Sequence, residues 1–94
     1  MRESQIENYL KREVEKIGGL CFKFVSPGNK GVPDRIIILP NGQIIFAELK
    51  TEKGKLSALQ VKMQETLNKL NCRALVLNCK PSVDKLIVEL RDEL

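Results

Sequence analysis

Residues 33–50 read PDRIIILPNGQIIFAELK, and the way this stretch folds decides the rest of the chain. Two apolar runs, Ile36-Ile37-Ile38-Leu39 and Ile44-Ile45-Phe46-Ala47, lie on either side of Asn41-Gly42. β-Branched and aromatic residues favour extended backbone, and Asn-Gly between two such runs is a strong hairpin signal. The stretch predicts strands over 35–39 and 44–49 joined by a type I′ turn. Consecutive isoleucines in both runs suit strands covered on both faces. Side chains alternate along a strand, so Ile44, Phe46, Glu48 and Lys50 share one face. That face passes from apolar to charged, and the hairpin carries Asp34, at the start of one strand, toward the end of the other. A turn residue after proline accounts for Asp34 alone. A strand emerging into solvent accounts for Glu48 and Lys50 alone. Neither accounts for the convergence.

Outward from the hairpin, residues 3–17 predict an amphipathic helix with Ile6, Leu10, Val14 and Ile17 on its buried side, stopped by Gly18-Gly19. Residues 20–25 (LCFKFV) predict a strand, followed by a Gly- and Pro-rich loop, SPGNKGVP. A further helix opens at Ser57. There Ser57 and Gln60 form a capping box, Leu56 and Val61 a hydrophobic staple, and Leu59, Met63, Leu67 and Leu70 a buried stripe. Residues 73–79 predict a fourth strand, and Pro81-Ser82 begins a last helix with Val83, Leu86, Ile87 and Leu90 on one side. The order αβββαβα makes an α/β fold. The helix between the third and fourth strands is a crossover that makes that pair parallel, against an antiparallel hairpin, so the sheet is mixed and flanked by helices. Residues 1–94 read as one domain, with no repeat or linker.

Composition narrows the chemistry. The chain has no histidine, which excludes Ser-His-Asp and Cys-His mechanisms and zinc hydrolases of the HExxH kind. Hydrolysis here must run on carboxylates, lysine and a hard metal. Sixteen Lys and Arg against twelve Asp and Glu give +4, compatible with a nucleic-acid partner. Lys50, Lys53, Lys55 and Lys62 concentrate the excess between residues 50 and 62. One tyrosine, three phenylalanines and no tryptophan argue against a stacking platform for single strands. Cys21, Cys72 and Cys79 are an odd number without CxxC spacing, which reads as free thiols in a reducing cytoplasm. No apolar run is long enough to span a membrane. A chain of 94 residues builds a thin core, which a homodimer would supplement.

Asp34 and Glu48 supply the oxygen ligands that Mg²⁺ takes, and the Leu49 carbonyl is a candidate third. Bound there, the ion would polarise a phosphate and acidify a water. Lys50 would orient that water and offset charge in the transition state.

Pro33-Asp34 followed by Glu48-Leu49-Lys50 resembles the PD-(D/E)xK nuclease signature, and the predicted order matches the restriction-endonuclease-like core of that superfamily. Glu3-Ser4-Gln5-Ile6, KFVSPGNKGVPDR at 23–35 and FAELKTEKGKLSALQ at 46–60 resemble the VRR-NUC branch, the virus-type replication-repair nuclease domain, in its stand-alone phage or bacterial form. The resemblance spans about three quarters of the chain. It implies a Mg²⁺-dependent endonuclease, with Mn²⁺ able to substitute, that acts as a homodimer on branched DNA such as four-way junctions in a bacterial or phage-infected cell. Asp34, Glu48 and Lys50 would be its catalytic residues. It further implies an acid on the first helix near the metal. Glu3 matches the E-x-x-I pattern; Glu7 is the alternative, although Ser4 and Glu7 also read as a capping box. DNA contacts would come from Lys23, Ser26, Lys30 and Arg35 in one matched segment and from Lys53, Lys55 and Gln60 in the other. A non-catalytic nucleic-acid-binding module is the competing class, and a structural or protein-binding domain a third.

Overall fold

The computed structural model describes all residues, Met1–Leu94. Its elements run α1 (Glu3–Lys16), β1 (Leu20–Lys23), β2 (Arg35–Ile38), β3 (Ile44–Leu49), α2 (Ala58–Lys69), β4 (Arg73–Leu77) and α3 (Lys80–Glu93). The four strands form one sheet in the order β1-β2-β3-β4. β1–β2 and β2–β3 are antiparallel, while β3–β4 is parallel across the α2 crossover. The sequence predicts this order and this mixture.

Alternation divides the sheet into two unlike faces. One carries Cys21, Ile37, Ile45, Ala47, Leu49 and Leu77, all buried. Onto it pack Ile6, Leu10 and Val14 of α1 and Val83, Leu86, Ile87 and Leu90 of α3, completing one aliphatic cluster. The stripes predicted for these two helices are the ones they bury, except that Ile17 follows α1 as its C-cap and is only half-buried. The other face carries Leu20 and Phe22 of β1, Ile36 and Ile38 of β2, and Ile44, Phe46 and Glu48 of β3.

This second face corrects the expectation of strands covered on both sides. Helix α2 reaches the sheet over β4 and the end of β3, where Gln64 Nε2 donates to the Leu75 carbonyl at 3.4 Å. It leaves β1 and the start of β3 open: Phe22 is 53% exposed and Ile44 50%. The buried stripe predicted for α2 is likewise absent. No residue of the helix is fully buried, and Leu59 and Leu70 stand in solvent. Helical spacing identifies a side that shuns water but not whether this chain supplies the cover.

Two local predictions are corrected too. The hairpin turn is not type I′, which needs positive φ at both central residues. Asn41 is not in that region, whereas Gly42 has φ of 86°. The Gly42 N–H donates to the Leu39 carbonyl at 2.8 Å and Leu39 N–H to Gln43 at 2.9 Å. Pro40, with φ fixed near −65°, takes the second position of a type I turn, and Gly42 forms the bulge after it. At the other end, α1 is capped by Arg2 rather than Ser4: Gln5 Oε1 accepts the Arg2 N–H at 2.7 Å. Glu7 is thereby free of any capping role.

The loop between β1 and β2 folds on itself, with Asn29 donating to Ser26 through backbone (3.1 Å) and side chain (2.9 Å). It then presses on the start of α2. A Cβ at Gly31, where φ is 88°, would lie 2.6 Å from the Leu59 carbonyl oxygen, whereas one at Gly28, where φ is 83°, would meet nothing. Both glycines adopt left-handed backbone, so alanine at either costs about 1–2 kcal/mol. Gly31→Ala adds a backbone collision, about 1–3 kcal/mol more. Urea unfolding should therefore find Gly31→Ala clearly less stable than Gly28→Ala; equal losses would show that the loop does not bear on α2.

Candidate active site

The β2–β3 register sets Arg35 opposite Ala47, so the next step outward brings Asp34 beside Glu48. The strand end is closed by two bonds from Asp34: its backbone carbonyl accepts the Phe24 N–H at 2.8 Å, and its side-chain Oδ2 accepts the Leu49 N–H at 2.9 Å. The carboxylate is thus fixed against the strand that carries Glu48 and Lys50, and all three side chains fall on the α2 side of the sheet.

Glu48 is 2% exposed. Its Oε1 accepts from Gln60 Nε2 at 2.9 Å, while its Oε2 is buried with no hydrogen-bond partner. Burial and then the charge of Asp34 push the Glu48 carboxyl up to about 8; Lys50 pulls it down, and Glu3 pushes it further up. At neutral pH Glu48 therefore holds a proton unless a cation replaces it.

Gln60 forms the cap that the sequence predicts, and the far side of its amide turns to Glu48. Ser57 is the N-cap of α2, its Oγ accepting the Gln60 N–H at 3.2 Å. Gln60 Oε1 accepts the Ser57 N–H at 2.8 Å in return. With the amide oxygen spent on the cap, the amide NH₂ must face the sheet, where it meets Glu48. The capping box is what aims the donor.

The two candidate helix acids part company. Glu7 Oε1 is taken by Arg35, which donates from Nε at 3.0 Å and from Nη2, and Lys23 Nζ stands 3.9 Å away. Glu3, one turn earlier, has no ion-pair partner, and its charge is felt at Glu48. Three acids thus bear on one end of the sheet, although no trio of acidic or sulfur side chains is drawn tightly enough to be a ready-made metal cage.

Arg35 is a correction. Expected to touch DNA, it is 7% exposed, its guanidinium also donating to the Cys21 carbonyl at 3.3 Å. Position 35 follows the alternation to the α1 side of the sheet, away from the Asp34 face. Lys23, Lys30, Lys53 and Lys55 are exposed and Ser26 half-buried. The sequence did not show that Glu7 and Arg35 form a part-buried pair. A cation inside an otherwise apolar strand was the available signal.

The raised Glu48 carboxyl links stability to pH. The folded chain keeps this proton up to pH about 8, while an unfolded glutamate releases it near 4.5. Between those values the folded state binds more protons, so stability falls as pH rises, by up to about 1.4 kcal/mol per pH unit for one group. Thermal melts in EDTA from pH 5 to 8 should show this decline, and Glu48→Gln should flatten it. A wild-type curve as flat as the variant's would contradict the burial argument.

No protein-family model matches the sequence. "Putative nuclease p44" of Acyrthosiphon pisum secondary endosymbiont phage 1 is 47% identical over 78 residues, covering 83% of this chain and 84% of its own. A solved structure described as a VRR_NUC domain superposes with a TM-score of 0.86 at 36% identity, covering 90% of this chain and 92% of its own. Likeness at this level, over nearly all of both chains and in the same fold, makes this chain a member of the VRR-NUC nuclease family.

Proposed function

We propose that the chain is a divalent-metal-dependent endonuclease that hydrolyses phosphodiester bonds in DNA, branched DNA such as four-way junctions in particular. One observation carries the reading: Glu48 Oε2 is buried without a partner beside a second carboxylate. An acceptor shut away from water and left unpaired costs about 1–3 kcal/mol, and a cation would recover it. Asp34 and Glu48 would hold Mg²⁺ or Mn²⁺, with the Leu49 carbonyl and Glu3 completing the set and waters filling the rest. When bound, the ion supplies a Lewis acid and an acidified water.

The chain's own groups do the remaining work. Gln60 holds Glu48 through Oε1 and so leaves Oε2 as the oxygen free to take a cation. The Leu49 N–H holds Asp34. Lys50, half-buried two residues after Glu48 on the same side, presents an ammonium to the scissile phosphate. There it orients the attacking water and offsets charge as the fifth oxygen joins phosphorus.

The substrate is read from the surface. An open recess of about 200 Å³ is lined by Met1, Thr51, Glu52 and Lys53, and not by Asp34 or Glu48. Such a shape encloses no small molecule and suits a polymer lying across it. Exposed Lys23, Lys30, Lys53 and Lys55, with Ser26, would contact the phosphate backbone, whereas both ends of the Gln60 amide are taken by Ser57 and Glu48; recognition then follows charge and shape rather than base sequence. Free thiols at Cys21, Cys72 and Cys79 fit a reducing cytoplasm, and no helix is long and apolar enough to cross a membrane.

Cleavage assays on linear duplex, flap, splayed-arm and four-way-junction DNA with Mg²⁺, Mn²⁺ or EDTA test the reading. Wild type should cut with either metal and not in EDTA, and Asp34→Asn and Lys50→Ala should each lose at least about 100-fold in rate while folding and binding normally. Binding without cleavage by wild type under every metal would instead make the chain a non-catalytic module.

We also propose a homodimer, seated on the bare sheet face around Leu20, Phe22 and Ile44. Paired incisions across a junction need two sites, and the chain carries one. The face is apolar where a DNA surface would be basic, which favours a second copy. Sedimentation should give a dimer that Phe22→Lys converts to a folded monomer; a monomeric wild type at tens of micromolar would exclude it.

A further inference from the structure

A charge is seldom buried without a task, and Arg35 is the most deeply buried cation in the chain. It follows Asp34 directly on β2, but its side chain crosses to the α1 side of the sheet. Its guanidinium grips Glu7 Oε1 through two nitrogens and the Cys21 carbonyl through the third. The fork thus joins three elements, α1, β1 and β2, at one point. Glu7 is one turn after Glu3, and residues four apart in a helix stand on the same side. Whatever fixes the rotation and height of α1 at Glu7 also fixes where Glu3 is presented.

Stability alone does not call for this pair. Replacing a buried ion pair by apolar side chains of similar size is often neutral or stabilising. The same helix already has three fully buried aliphatic anchors, Ile6, Leu10 and Val14. Apolar anchors tolerate small slides and rotations, because dispersion has little direction. A guanidinium–carboxylate fork does not, because its hydrogen bonds are directional and planar.

Resting on the proposed metal-dependent reading, we infer that the Glu7–Arg35 pair is a positioning device: it locks α1 to the strand that bears Asp34 so that Glu3 is held toward the Asp34–Glu48 pair. Glu7 and Arg35 touch neither metal nor DNA; they act through Glu3.

The test removes the lock while keeping the volume. The double variant Glu7→Met with Arg35→Met should melt near the wild-type temperature. Arg35→Lys, which keeps the charge but loses the fork, covers the case in which the double variant does not fold. Mn²⁺ binding to the protein without DNA, followed by electron paramagnetic resonance, is the primary readout. Both variants should weaken Mn²⁺ at least about tenfold. The loss should match that of Glu3→Gln and should not grow when either variant is combined with Glu3→Gln, because a positioning residue has nothing left to position. Wild-type Mn²⁺ affinity in the folded variants would overturn the inference alone. Losses that multiply with that of Glu3→Gln would also overturn it, since the pair would then act by another route. A wild-type protein that binds no Mn²⁺ and cuts no DNA would overturn both the inference and the metal-dependent reading beneath it.

Discussion

The bond from the Leu49 N–H to the Asp34 carboxylate closes the end of the β2–β3 hairpin, and the remainder of the site depends on it. Without it the strands would part before the charged residues, and Asp34 would be an ordinary acid in a loop. With it, two carboxyl groups are held beside each other at the margin of an aliphatic sheet, where a proton on Glu48 relieves their repulsion. Glu48 bears the consequence. It is nearly out of contact with water, keeps its proton into the neutral range, and has one oxygen with no partner. A buried polar atom in that state is a standing cost unless a ligand satisfies it.

The supporting elements share this logic. The turn at Pro40 to Gly42 sets the register, so a single hairpin connection determines which residues face each other at the far end. The cap of α2 uses one oxygen of Gln60 and so commits the amide nitrogen to Glu48. Gly31 lets the loop approach the same turn of α2 without a side chain between them. Stability and placement are served by different groups: the aliphatic cluster of α1, α3 and one sheet face holds the fold, and short polar contacts hold the site.

Much of this was legible in the sequence because it depends on local rules. Alternation places Glu48 and Lys50 together, a hairpin returns Asp34 to them, and Ser57-x-x-Gln60 announces a cap. The element order follows from periodicity. The parts that were misread depend on what lies across a face. The stripe of Leu59, Met63, Leu67 and Leu70 has the right spacing for a core, but spacing does not say which partner covers it. Arg35 reads as a phosphate contact because it lies in the segment that resembles the VRR-NUC family; alternation alone sends it to the α1 side. The Asn-Gly signal points to one turn, and the fixed φ of the proline before it selects another.

The central claim is that Asp34 and Glu48 together hold a divalent cation, and anomalous diffraction from crystals grown with Mn²⁺ tests it most directly. The account predicts one strong peak about 2.1 Å from oxygens of both side chains, with Glu48 Oε2 among them. No peak there, or a peak held by surface acids with Glu48 Oε2 still unpartnered, would contradict it.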